Sequence, residues 1–390
     1  MAEETRLIHS GLASPTGKPS AKTVGPPIQK GSTVLLPNAA SLYDDDAFTT
    51  YGRQGLAAHD ALKAALCELE NAQGVELYPS GVAALSGAML AVLKAGDEVL
   101  VVDTIYKPTR RFCDHVLKRF GVATRYYDPR QSPEDLVAGA SDATRLIVIE
   151  SPGSLSFEMQ DMAAIARLAK SRGILTLADN TWGAGYLTKP LDQGVDISVQ
   201  ALTKYVGGHS DLFMGSAAAR DSKLARQLCD GVLHLGWAVS PEDAYQMLRG
   251  LRTLATRLAR HGASGLEVAA WLQDQAEVRQ VLHPALPGSP GHDLWLRDYS
   301  GACGLFGFVL NPASQPAVDA FLDALQIFGL GFSWGGFESL AISCDQQLKT
   351  RKFHPDYGGP LMRLHVGLEA PADLVADVRT GLDAYAVLAS

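Results

Sequence analysis

The stretch Ile197-Ser198-Val199-Gln200-Ala201-Leu202-Thr203-Lys204-Tyr205-Val206-Gly207-Gly208-His209-Ser210-Asp211 carries one lysine out of a short apolar run into a turn rich in Gly, Ser and His. A run of that length and composition reads as a buried strand, so Lys204 is delivered to the end of a sheet and not to a solvated helix face. Burying an ammonium group is costly, and a sheltered lysine tends to give up its proton. A neutral amine is a nucleophile able to bond an aldehyde carbon.

Earlier in the chain the same pattern occurs in Ile174-Leu175-Thr176-Leu177-Ala178, a second buried-strand run, which ends in Asp179. The carboxyl ends of parallel strands are where α/β sheets collect their ligands. Taken singly, Lys204 reads as a solvated side chain and Asp179 as a turn or cap residue. Together they are the two groups that pyridoxal 5′-phosphate requires, an amine for its aldehyde and an anion for its pyridinium nitrogen.

Outward from this pair, strands alternate with helices. Strands are predicted over 75–79, 98–102, 123–127, 146–150, 174–178, 197–201 and 213–219, with helices from Leu56, from Ser80, over 108–120 and over 161–172. That alternation predicts a mostly parallel, doubly wound α/β sheet covered on both faces. A long helical stretch, about 243–275, leads to a smaller α+β unit with strands over 305–310, 340–343 and 362–366 and helices over 317–325 and 371–388. The chain therefore divides into an N-terminal arm (1–54), a cofactor-binding domain (55–250) and a C-terminal domain (251–390). The arm, with Gly17, Pro19, Gly25, Pro26, Pro27 and Pro37 and no sustained period, is predicted to be extended and to lie on a neighbouring subunit.

Further candidates fall at chemically sensible places. Tyr51 and Arg53 stand two apart in an extended segment, where they share a face and can close on one anion. Ser80-Gly81-Val82 opens a helix after a strand, which lets the Gly81 and Val82 N–H groups approach a phosphate; an ordinary Ser N-cap explains the pattern as well. Tyr106 follows a strand end and can stack on a flat ring. Gly331-Phe332-Ser333-Trp334-Gly335-Gly336 is a turn-rich loop. Arg363 interrupts the apolar run 361–366, and an arginine there must meet an anion, either a substrate carboxylate or a carboxylate of the chain itself.

Length and composition exclude several classes. At 390 residues and 47% apolar content the chain supports more than one core. With a net charge of −8 and dispersed Lys and Arg, neither nucleic acid nor an anionic membrane surface is an expected partner. No run approaches a membrane span, and the acidic start Met1-Ala2-Glu3-Glu4 lacks a signal peptide's apolar core, so a cytoplasmic enzyme is expected. Five scattered cysteines without metal spacing predict neither disulfide nor zinc.

The blocks Tyr51-Gly52-Arg53, Ser80-Gly81-Val82-Ala83-Ala84, Tyr106, Glu150-Ser151-Pro152, Ala178-Asp179-Asn180-Thr181, Thr203-Lys204-Tyr205, Gly208-His209-Ser210-Asp211, Ser333-Trp334-Gly335-Gly336 and Arg363-Leu364-His365-Val366-Gly367, in this order over nearly the whole chain, resemble the pyridoxal-phosphate enzymes of cysteine and methionine metabolism. Within that trans-sulfuration family they look most like the bacterial cystathionine β-lyases. The resemblance implies the family's pyridoxal-phosphate transferase fold and a homotetramer of two active dimers. It implies that Lys204 bonds the cofactor, Asp179 pairs with the ring nitrogen and Tyr106 stacks on the ring. Gly81, Val82 and the Thr203 hydroxyl would hold the phosphate, with Tyr51 and Arg53 reaching it from the neighbouring subunit. Arg363 and Ser333, with Trp334 alongside, would receive the α-carboxylate of an amino-acid thioether. The activity implied is β-elimination from cystathionine, or another cysteine S-conjugate, to a thiol, pyruvate and ammonia, with Lys204 as base and Lys204 or Tyr106 protonating the leaving sulfur. The alternatives are a γ-lyase or γ-synthase of the same family. Ala201 stands where many relatives carry Ser, and Lys107 where β-lyases often carry Glu. A nicotinamide-dependent oxidoreductase, suggested by Thr181-Trp182-Gly183-Ala184-Gly185 after a strand, fails because Leu187-Thr188-Lys189-Pro190 and not a helix follows.

Overall fold

The computed structural model describes residues 2–10, 23–44, 49–353 and 355–389. After α1 (Glu3–His9), the first domain runs through α2 (Ala57–Glu70), β1 (Gly74–Tyr78), α3 (Gly81–Val92), β2 (Glu98–Val102), α4 (Lys107–His115), β3 (Ala123–Tyr127), α5 (Pro133–Ala138), β4 (Thr144–Glu150), α6 (Met162–Ser171), β5 (Leu175–Asp179), β6 (Ile197–Gln200), β7 (Gly215–Ala219), α7 (Ser222–Leu235) and α8 (Pro241–Leu251). The seven strands lie in the order β1-β7-β6-β5-β4-β2-β3. The run β6-β5-β4-β2-β3 is parallel, and β7 is antiparallel to both of its neighbours. The central strands are continuous apolar runs because helices cover both faces: Leu146 to Ile149 of β4 and Ile197 and Val199 of β6 are fully buried.

The second domain comprises α9 (Leu254–Gln273), β8 (Val278–Leu282), α10 (His292–Asp298), β9 (Leu305–Leu310), α11 (Gln315–Ala324), β10 (Gly329–Leu330), β11 (Leu340–Ser343), α12 (Asp345–Leu348), β12 (Leu361–His365) and α13 (Pro371–Ala389). Its sheet, in the order β10-β11-β12-β9-β8, buries Phe306, Phe308 and Leu364 against Val268 of α9, Phe321 of α11 and Val378 of α13.

Three expectations need correction. The single long helix predicted over 243–275 is two helices, broken at Arg252-Thr253, because the Arg257 guanidinium takes the Gly250 carbonyl at 2.7 Å together with the Tyr205 and Val206 carbonyls. The arm is not extended throughout: residues 3–9 form a helix on its own domain, burying Leu7 and pairing Lys189 with Glu3 and Arg6 with Glu68, both at 2.7 Å. Of the arm's remaining predicted features, those within residues 11–22 and 45–48, Gly17 and Pro19 among them, lie outside the described residues. The helix predicted over 108–120 ends at His115 and tightens into a 3-10 turn over Leu117–Phe120, closed by Gly121 at φ 76°.

Candidate active site

The carboxyl ends of β2, β4, β5 and β6 and the 331–336 loop of the second domain enclose a cleft of about 910 Å³, lined among others by Tyr106, Asp179, Lys204, Ser333, Trp334 and Arg363. Asp179 closes β5, in register with Glu150 on β4 and Val199 on β6. Lys204 lies in the turn just beyond β6. The two predicted groups thus reach the same cavity from adjoining strands.

That turn is held rigidly. Gly208 N–H donates to the Lys204 carbonyl at 2.8 Å and Gly207 N–H to Leu202 at 2.8 Å, while buried Arg257 donates to the Tyr205 and Val206 carbonyls at 2.6 and 3.2 Å. Gly208 sits at φ 72°, and a Cβ there would lie 2.0 Å from Arg257 Nη1, so only glycine fits. Lys204 Nζ donates to Ser333 Oγ at 2.8 Å and lies 5.3 Å from the centre of the Trp334 ring. Burial first, and then the Arg363 charge, push its pKa down to about 8, against the pull of Asp179.

Asp179 is buried, and its Oδ1 accepts from the Thr181 N–H at 3.1 Å and the Thr181 hydroxyl at 2.5 Å. No ion pair is made to it among the described residues, and burial raises its pKa. Glu150 ends β4 beside it, accepting from Ser154 Oγ and, at 2.7 Å, from the Tyr106 N–H. Burial and the neighbouring Asp179 raise the Glu150 pKa, because two carboxylates sharing a low-dielectric site disfavour double ionisation. Tyr106 caps α4 and faces the cleft half-exposed; burial, followed by Asp179 and Glu150, keeps its phenol protonated.

The opening of α3 leaves two backbone donors free. Ser80 Oγ accepts from Ala83 N–H at 3.1 Å, and among the described residues the Gly81 and Val82 N–H groups have no partner. A Cβ on Gly81 would meet that of Ala201 at 2.4 Å, so glycine is what lets the helix press against the end of β6. Thr203 lines the same cleft, but its hydroxyl is engaged with Met214, donating to the carbonyl at 3.2 Å and accepting from the N–H at 3.0 Å.

Arg363 bears on the alternative left open above. Its side chain is buried on β12, yet it pairs with no carboxylate among the described residues; one nitrogen, Nη2, donates to the Gly331, Phe332 and Ser333 carbonyls at 3.4, 3.1 and 3.0 Å, and Nε has no partner among them. A buried guanidinium with spare donors in a cavity is a ready receptor for a carboxylate. Tyr51 and Arg53, by contrast, are not brought to the cleft of their own chain. Arg53 Nη1 donates to the Leu233 carbonyl at 3.0 Å near the end of α7, and Tyr51 is exposed.

Three contributors escape the sequence reading of single motifs. Glu150 ends a buried strand in a carboxylate as Asp179 does, and that shared pattern was the available signal. Buried His365 accepts from the Gly335 N–H through Nε2 at 3.0 Å, fixing the loop that carries Ser333 and Trp334; burial drives its pKa well below the ordinary value, so the ring is neutral. Arg257, on a helix of the other domain, carries no local signal.

A model of Cys/Met metabolism PLP-dependent enzymes matches residues 4–383. The chain is 42% identical over 388 residues to a cystathionine beta-lyase of Bordetella avium, covering 97% of each chain. It is 38% identical over 390 residues to a cystathionine beta-lyase of Escherichia coli K12, again covering 97% of each. In three dimensions it superposes on the cystathionine gamma synthase of Xanthomonas oryzae pv. oryzae, in its complex with cystathionine, with a TM-score of 0.91 at 32% identity, over 100% of this chain and 99% of that one.

Proposed function

The chain belongs to the pyridoxal-phosphate-dependent enzymes of cysteine and methionine metabolism, and from that premise we propose that it is a carbon–sulfur β-lyase acting on cystathionine, as the β-lyases it is similar to are named. The observation that carries the reading is the convergence of Lys204, Asp179 and the carboxylate-free Arg363 on one cleft.

The residues fit the cofactor. A buried carboxylate lacking a cation is complementary to a protonated pyridine nitrogen. The free Gly81 and Val82 N–H groups, at the N-terminus of a helix, are complementary to a phosphate, and Tyr106 offers a face to a planar ring. Lys204 would bond the aldehyde carbon until the substrate's own amino group takes its place there, which would free the lysine amine to act as a base. When bound, pyridoxal phosphate supplies the sink for electrons released at the substrate's Cα.

The protein's own contribution is binding and proton movement. Arg363 receives the substrate α-carboxylate through its spare donors, which orients Cα toward Lys204. Lys204 Nζ, with its affinity for protons lowered by burial, takes the Cα proton; the Cβ–S bond then breaks, and the proton passes to the departing sulfur. Tyr106, held protonated, is the second group within the cleft able to donate it. The released three-carbon enamine adds water and loses ammonia to leave pyruvate, while the thiol from cystathionine is homocysteine. Pyruvate as the keto acid formed from cystathionine supports this reading; 2-oxobutyrate as the main product would replace it by γ-elimination.

The arm supports assembly of more than one copy. Leu35 and Tyr43 are 91% and 87% exposed, apolar surface of a kind a second chain would cover. In a homotetramer of paired chains, Tyr51 and Arg53 would serve the neighbour's phosphate. No described helix is long and apolar enough to cross a membrane. A cytoplasmic location accords with five cysteines that stand apart and unpaired.

A further inference from the structure

The outer half of the cleft carries charge that the reading above does not use. Its cationic lining residues are Lys107, Arg110, Arg111, Lys204, Arg351 and Arg363. Lys204 and Arg363 belong to the chemistry. Arg110 is neutralised by buried Asp103 and lies against the Tyr126 ring at 3.7 Å. Arg351 is anchored through Ser156 Oγ and the Ser154 carbonyl. That leaves Lys107 and Arg111, which make no hydrogen bond or ion pair among the described residues. They stand at i and i+4 on α4, hence on one face, directly after the ring-stacking candidate Tyr106. The acidic lining residues do not offset them: Asp179 and Glu150 lie at the inner end, and Asp345 Oδ1 accepts from the Leu361 N–H at 3.1 Å.

We propose that Lys107 and Arg111 form a cationic outer subsite that selects thioethers whose leaving half ends in a carboxylate. With the α-carboxylate on Arg363 and Cα at Lys204, a sulfur substituent that leaves the cleft past Tyr106 runs along the helix face where this pair stands. An anion there is also favoured by the N-terminus of α4, which begins at Lys107. Cystathionine meets the requirement through the distal carboxylate of its homocysteine half, and so would other cysteine S-conjugates with an acidic tail. The inference rests on the β-lyase reading, and the test separates the two.

The test compares pyruvate release by the holoenzyme from two conjugates of matched length, S-(3-carboxypropyl)-L-cysteine and S-butyl-L-cysteine. A charge-assisted contact in a half-screened site predicts a kcat/KM ratio of about tenfold or more in favour of the acid, residing mainly in KM. Raising the salt concentration should shrink that ratio. In the double variant Lys107→Glu/Arg111→Glu the ratio should collapse or invert, and S-(3-aminopropyl)-L-cysteine should become the better substrate. The proposal is overturned if the wild-type enzyme releases pyruvate from both conjugates with equal kcat/KM, or if the preference survives both salt and charge reversal. If the variant does not fold, the wild-type ratio and its salt dependence still decide. Absence of pyruvate from every conjugate would instead remove the lyase reading itself, and the subsite with it.

Discussion

Replacing Arg363 by glutamine isolates substrate anchoring from the chemistry. The guanidinium is buried, spends Nη2 on three loop carbonyls at 3.0, 3.1 and 3.4 Å and keeps Nε unpaired. A carboxylate docked on the spare donors gains charge-assisted hydrogen bonds of about 1.5–3 kcal/mol each, so losing the charge removes roughly 2–4 kcal/mol, or about 30- to 1000-fold in kcat/KM. The loss should fall chiefly on KM, since the α-carboxylate is bound alike before and during bond breaking. Pyruvate release from cystathionine measures it, and retention of the cofactor's visible absorbance by the variant certifies the fold. A substrate whose α-carboxylate is an amide adds a control: wild type and Arg363→Gln should process it with similar kcat/KM. A glutamine variant whose KM for cystathionine stays within about threefold of wild type, or one that loses the amide substrate as severely as cystathionine, would refute the role given to Arg363.

Gly81→Ala should weaken cofactor binding by about 1–3 kcal/mol, because its Cβ would meet that of Ala201 at 2.4 Å; the companion change Ala201→Gly should restore much of it, and spectroscopic titration of the stripped protein reads both. Lys204 has its pKa lowered to about 8 from an ordinary 10.5, so the unfolded chain holds the extra proton between those values and stability attributable to this group rises with pH across that window. Cofactor-free wild type, relative to Lys204→Met, should accordingly gain in melting temperature between pH 7.5 and pH 10 (about one protonation window), and a difference that shrinks as pH rises would contradict the shift. His365→Leu should raise KM several-fold by freeing the Gly335 N–H and loosening the Ser333–Trp334 loop, whereas His365→Gln, which can accept the same bond, should recover most of the loss.

The central strands were legible in the sequence because a parallel sheet covered on both faces demands unbroken apolar runs, and β2, β4, β5 and β6 have them. The edge strands β1 and β3 were legible too, but several peripheral elements were not. Strand β8, Val-Arg-Gln-Val-Leu, buries only its last two residues, so its polar half conceals it. Helix α7 shows Leu224, Leu228 and Val232 at four-residue spacing, a readable stripe that the strand-rich context obscured. The break between α8 and α9 has no local signal, since a guanidinium from the second helix causes it. Within the site, Lys204, Asp179, Gly81 and Arg363 could be found because each violates its local pattern: a charge at the end of an apolar run, a glycine opening a helix, an arginine inside a strand. Glu150 followed the rule that exposed Asp179, while the work of His365 becomes visible only once β12 and the 331–336 loop are folded together, and that of Arg257 only when the two domains meet.

The most direct test of the account is reduction of the purified holoenzyme with borohydride, followed by peptide mapping, for the wild type and for Asp179→Ala. The account predicts that the cofactor is fixed on Lys204 in both proteins and that the Asp179 variant, though labelled, barely releases pyruvate from cystathionine. Label on any other lysine, or an Asp179 variant turning over at a near-normal rate, would contradict the claim that this amine and this carboxylate act on one ring.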